Sequence, residues 1–145
     1  MLNSISRCLL ALAVLLFAIA GRAAAQDKTI KKTPVEQTSP TSGAEMYKSY
    51  CAVCHGKDGK GDGPAAEALK MPPPDLTTLA KRHDGKFPDA YVSNVLRSGA
   101  KAPAHGTAEM PVWGPLFSSL GGGDTAQVNL RISNLTNYIK SLQAK

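Results

Sequence analysis

The stretch Cys51-Ala52-Val53-Cys54-His55 decides how this chain is read. Residues three apart on a helical turn share a face, so Cys51 and Cys54 present two thiols side by side, with an imidazole at the next position. The preceding residues support the helix. Ser42 is suited to cap free backbone N–H groups, and Glu45 three places on completes a capping box. The helix is predicted to run through Tyr47 and Tyr50 to about Cys54 and to stop before Gly56.

Toward the C-terminus, Gly56, Gly59, Gly61 and Gly63 predict a loop, and residues 64–70 one or two helical turns with Pro64 as the first residue. Pro72-Pro73-Pro74 lacks N–H donors and reads as extended. A middle helix is predicted over 88–98, with Tyr91, Val92, Val95 and Leu96 on one face and Gly99 as its stop. A loop from 99 to about 123 follows. The last helix opens at Asp124, with Gln127 three places on. Val128, Ile132, Leu135, Ile139 and Leu142 then recur at spacings of 4, 3, 4 and 3, one apolar stripe. No segment alternates as a strand does. The fold class is all-α: three main helices joined by long loops.

Toward the N-terminus the composition changes twice. Residues 26–41 contain Lys, Thr, Pro, Ser, Gln and Glu with almost nothing apolar, which reads as a flexible leader. Residues 1–25 follow the order of a secretory signal: Arg7 closes a short charged start, Cys8 to Ala20 is an uncharged apolar run, and Ala23-Ala24-Ala25 is a small-residue cleavage site. The apolar run is shorter than the roughly 20 residues that span a bilayer. Cys8 opens that run instead of standing at the cleavage point, which excludes a lipoprotein. Cleavage after Ala25 takes away Arg7, Arg22 and Cys8 and leaves 120 residues, 15 basic and 11 acidic, net +4. That mild surplus fits a docking face for an acidic partner. It does not fit a nucleic-acid groove, since the lysines are scattered and not interleaved with aromatics. The folded domain is expected over 42–145, without an internal repeat.

Three modest helices over that length have few large side chains to pack; Phe87, Phe117 and Trp113 are the only Phe or Trp in it. Small domains short of core need an added staple. A disulfide between Cys51 and Cys54 closes too short a loop to constrain much chain. A zinc site needs four ligands; His83 and His105 would have to complete it, and no second paired motif supports that. A thioredoxin-like pair needs a strand before it and a βαβ setting, and neither is present. A large apolar cofactor answers both the motif and the missing core. Cys-x-x-Cys-His is the c-type haem attachment pattern. The two thiols become thioethers on one porphyrin edge, and His55 projects under the ring to ligate the iron. A thioether sulfur suits the opposite face. Met46 lies on the attachment helix itself and is poorly placed for it. Met71 precedes three prolines. Met110 stands in Glu109-Met110-Pro111-Val112-Trp113-Gly114, a loop long enough to fold over the far face, and ranks ahead of Met71; His105 is the minor option.

With these residues the sequence resembles a class I cytochrome c, the small single-haem bacterial type, over 42–143. Gly43 and Tyr47 are similar to the family's opening helix, and Leu135, Tyr138 and Ile139 to the last helix it packs against. Pro74-Asp75-Leu76 resembles the segment whose proline carbonyl accepts a hydrogen bond from the axial histidine, with Pro73 the other choice. Met110-Pro111-x-Trp113-Gly114 resembles the methionine-ligand loop. The resemblance implies one haem c per chain, held by Cys51 and Cys54, with His55 and Met110 as axial iron ligands. It implies first and last helices crossing near one haem edge. The function implied is electron transfer between redox proteins, not enzymatic turnover, in the periplasm. Trp113 would either hydrogen-bond a propionate or simply pack, and Arg97 would either neutralise a propionate or be a solvated charge. Lys57, Lys60 and Lys101 would frame the exposed edge for docking. Two readings stand beside it: a haem enzyme or gas-binding module with an open sixth position, and a bound electron-transfer subunit of a larger oxidoreductase.

Overall fold

A computed structural model of the chain describes residues 35–99 and 110–144, within a unit that spans Pro34–Lys145. The expected signal peptide, leader residues 26–34, Lys101 and His105 lie outside the described residues. Among those described there are five α-helices and no strand, an all-α fold.

The first helical stretch runs without a break through α1 (Gly43–Met46), a π-helical turn (Tyr47–Cys51) and α2 (Ala52–His55). Ser42 caps it, its Oγ accepting the Glu45 N–H at 3.2 Å. The other half of the expected capping box does not form: the Glu45 carboxylate reaches past Ser42 and accepts the Ser39 N–H at 3.2 Å. The π turn was not legible in the sequence and matters most here. In a regular helix Gly43, Tyr47, Tyr50 and Cys54 would share one stripe. The Ala52 N–H instead reaches back five residues to the Tyr47 carbonyl. That one added residue rotates everything after it by roughly 100°. His55 and Cys51 now follow Tyr47 on the inward face and are buried, while Cys54 is only half-buried.

α3 (Asp89–Ser98), α4 (Trp113–Leu120) and α5 (Thr125–Ser141) complete the set. α3 begins one residue later than predicted, with Pro88 as the residue before it. Of its expected face, Val92 and Leu96 are buried and Tyr91 is exposed. Residues 64–70 give only a 3-10 turn at Ala66–Ala68, and two more such turns stand at Leu76–Thr78 and Lys81–His83. α4 corrects the expected loop over 99–123. Gly114 and Pro115 read as breakers, yet both fall in the first turn of α4, where a proline's missing N–H has no helical partner to lose. α5 is the hub: α1, α3 and α4 each pack against it. Asp124 caps it, Oδ1 accepting the Ala126 N–H at 2.8 Å. Val128, Ile132, Leu135 and Ile139 are buried as the stripe predicts, with Leu142 partly buried.

The core is larger than a tally of Phe and Trp suggests. Tyr47 and Tyr50 are buried in it, joined by Met46, Leu79, Val92, Leu96, Trp113 and Phe117. Tyr50 stacks on Trp113 with ring centroids 5.2 Å apart, and Trp113 lies 5.6 Å from Phe117. Tyrosine fills an aromatic core when its hydroxyl finds a partner, and both do: Tyr47 donates to the Gly56 carbonyl, and Tyr50 to the Glu36 carbonyl.

The domain also extends further toward the N-terminus than the expected boundary at 42. Thr38 is buried, and its hydroxyl lies 2.8 Å from the Tyr50 hydroxyl. Arg131 of α5, 2 % exposed, donates to Thr38 Oγ1 at 3.0 Å and to Thr38 O at 2.9 Å. Asn134 donates to Pro40 O at 3.0 Å. This buried guanidinium is held by neutral oxygens and by the Phe117 ring, 5.8 Å from its carbon. Thr38→Val keeps the volume and strips one acceptor from a buried cation, which costs about 1–3 kcal/mol. Urea unfolding of the variant is expected to show that loss. A change within about 0.5 kcal/mol, the range of an uncommitted surface site, would mean that the Thr38 hydroxyl contributes nothing.

Candidate functional site

Cys51, Cys54 and His55 sit where the first helical stretch ends. Both cysteines are free thiols. Burial, reinforced by the neighbouring Cys54, pushes the Cys51 thiol up to about 12, so it is neutral at physiological pH. Burial likewise lowers the affinity of His55 for a proton, against a smaller opposing effect of the Pro74 carbonyl. His55 Nδ1 lies 3.3 Å from that carbonyl oxygen. A carbonyl only accepts, so Nδ1 carries the proton and the lone pair is on Nε2. The sequence-predicted partnership of His55 with Pro74, and not Pro73, is the one formed.

The loop after the helix closes its end. The carbonyls of Val53, Cys54 and His55 have no helical partners. They accept from the N–H groups of Ala65 at 2.9 Å, Gly63 at 3.1 Å and Gly61 at 2.8 Å. A β-carbon on Gly61 would stand 2.3 Å from the Pro73 carbonyl oxygen, so only glycine allows the loop to lie against the proline segment. The segment is pinned from the other side as well. Asp75 Oδ1 accepts from the Thr77 N–H at 2.8 Å and from its hydroxyl at 2.6 Å. These bonds, chiefly the hydroxyl one, hold the Asp75 carboxyl below its usual range. Gln143, beyond α5, accepts from the Ala80 N–H and donates to the Leu76 carbonyl, both at 2.8 Å. Asp75 and Gln143 escaped the sequence reading. Asp75, two residues before Thr77, carries an Asx-turn signal that could have been found; Gln143 carries none for its hold on Leu76 and Ala80, which are more than sixty residues away.

The other expected site residues are dispersed. Trp113 is a core residue. Met110 is exposed, just before Pro111 and the start of α4, and Met71 is more exposed still; Met46 is fully buried among the helices. Lys57 and Lys60 are exposed on the closing loop, and Arg97 is exposed in the last turn of α3. His83 lies against the Tyr91 ring, with centroids 5.9 Å apart. Among the described residues no group of three or more His, Cys, Asp or Glu side chains could hold a metal ion.

An all-α domain that presents two free thiols and one buried, singly protonated imidazole at a helix end is of the class that carries covalently bound haem. The family model for cytochrome c matches residues 40–143, and the chain belongs to the cytochrome c family. Comparison with curated proteins and with solved structures gives no match. Membership implies a covalently bound haem c and haem-based electron transfer. The donor set fits that group: thiols at the attachment spacing are unpaired, and the nitrogen that would meet iron is the one its neighbours leave unused.

Proposed function

We propose that the chain is a class I, single-haem cytochrome c that passes electrons between redox proteins, with His55 and Met110 as axial ligands. Bound haem supplies an iron that alternates between Fe(II) and Fe(III). The residues of the chain attach it through Cys51 and Cys54, orient it through His55, and shield it with the aromatic layer of Tyr50, Trp113 and Phe117. The observation that carries the reading is the His55–Pro74 contact, which fixes the tautomer and aims Nε2.

Met110 is the methionine this reading favours. Met71 stands only three residues before Pro74, whose carbonyl meets His55, which argues against its reaching the opposite face, where a sixth ligand must lie. Met110 stands three residues before Trp113, which stacks on Tyr50, the chain neighbour of Cys51. Met46 is committed to the core. Two filled axial positions leave none for a substrate, in keeping with a carrier. The reading of residues 1–25 as a signal peptide supports a periplasmic location. Among the described residues no helix is long and apolar enough to cross a membrane. Lys57, Lys60 and Lys101 then serve as docking charges around the exposed haem edge.

The visible spectrum of the purified protein tests this. The ferric form is expected to show the far-red sulfur-to-iron band, and the ferrous form to resist carbon monoxide. Met110→Ala is expected to remove the band, give a high-spin or water-ligated ferric haem, and lower the reduction potential, since Met/His ligation raises it. An unchanged spectrum in that variant reassigns the ligand to Met71 or His105.

A further inference from the structure

Tyr47 stands at a junction that its role as core filler does not require. Its ring meets the helix crossing, 5.2 Å from the Tyr138 ring. Its hydroxyl turns the other way and donates to the Gly56 carbonyl at 2.9 Å, one residue after His55. That carbonyl also takes the Gly59 N–H at 3.4 Å, and the Gly59 carbonyl takes the Leu76 N–H at 2.7 Å. A β-carbon on Gly59 would stand 3.5 Å from the Tyr47 hydroxyl and 3.6 Å from Leu76 Cβ. One phenol oxygen thus touches the loop that spaces the chain leaving His55 from the chain arriving at Leu76, two residues beyond Pro74. Burial pushes the Tyr47 hydroxyl well above its ordinary range, so it remains a donor.

We infer that Tyr47 is a positioning residue for the iron ligand: its hydroxyl sets the separation between His55 Nδ1 and the Pro74 carbonyl. The inference rests on His55 being the axial ligand. A phenylalanine would pack the helix crossing equally well; only the hydroxyl reaches the loop. At 3.3 Å the His55–Pro74 bond is already just longer than the usual range for N–H···O, about 2.7–3.2 Å, so a small loosening of the loop weakens it appreciably. A weaker bond at Nδ1 makes the imidazole a poorer donor at Nε2, which favours Fe(II) and raises the reduction potential.

The test uses the haem-loaded protein. Tyr47→Phe is expected to raise the midpoint potential and to move the hyperfine-shifted ring resonances of His55 in the ferric NMR spectrum. Incorporation of 3-fluorotyrosine at Tyr47, a stronger donor that retains the fold, is expected to move both in the opposite sense. Ile139→Val, which trims the same core and removes no hydrogen bond to the loop, is expected to lower Tm and leave both unchanged. A Tyr47→Phe protein with reduced Tm but wild-type potential and His55 resonances overturns the inference, as does a fluorotyrosine protein identical to wild type. If the wild-type spectrum has no hyperfine-shifted His55 ring, the ligand assignment itself fails, and that outcome is separate from the first.

Discussion

Replacing Cys51 and Cys54 together by alanine is expected to leave a chain that no longer keeps its haem through acid–acetone extraction. The wild-type protein should retain all of its haem in the precipitate. Each thioether makes the cofactor part of the chain, so the protein is spared the translational and rotational cost of holding it, about 4–15 kcal/mol. Even the low end of that range corresponds to roughly a thousandfold in apparent affinity, far more than one His55 contact is expected to restore under denaturing extraction. The single variants separate two contributions. Cys54 is half-buried, so Cys54→Ala removes little besides one thioether. Cys51 is buried among Tyr47 and Tyr50, so Cys51→Ala also removes a packed sulfur and should lower Tm further. Haem that stays with the double variant after extraction would exclude thioether attachment.

The second large effect is expected at Gly43. A β-carbon there would lie 2.2 Å from the Asn134 carbonyl oxygen and 2.8 Å from Tyr138 Cβ. Both obstacles belong to α5, and the nearer is backbone, so relief requires the two helices to separate. Two effects oppose each other in Gly43→Ala. Alanine is favoured over glycine in a helix by about 0.8–1 kcal/mol, while overpacking costs typically 1–3 kcal/mol. At 2.2 Å the clash is expected to win, with net destabilisation in Gly43→Ala and about 3 kcal/mol or more in Gly43→Val. For a domain of this size that is a fall in Tm of roughly 12–24 °C. A Gly43→Ala protein more stable than wild type would show that the crossing is looser than described.

What the sequence disclosed, and what it concealed, divides along physical lines. Ser42, Asp124 and the 4-3-4-3 stripe of α5 are local or periodic signals, and the structure follows them. Cys51, Cys54 and His55 stand out in the sequence because the spacing is the one that attachment chemistry requires. Pro74 was found only through resemblance, since a backbone carbonyl leaves no trace in side-chain identity. α4 was hidden because a proline in a first turn looks the same as a proline that forbids a helix. The strap at residues 36–40 was hidden because its holds on α5 come from Arg131 and Asn134, more than ninety residues away. Arg131 itself, a charge beside an apolar stripe, reads as solvated until its partner is known. The π turn has no composition signal, and it is what turns His55 inward.

The closed helix end has a consequence for the order in which this chain can assemble. The three carbonyls at the end of α2 are satisfied by N–H groups only six to twelve residues downstream. Closing such short loops costs little chain entropy and takes a small fraction of a millisecond. The contact of Gly43 with Asn134, by contrast, waits for the far end of the chain. The attachment turn and its loop can therefore take shape while the residues of α5 are still being added to the chain. That leaves an interval in which both thiols have their spacing and the core has not yet shut over Cys51.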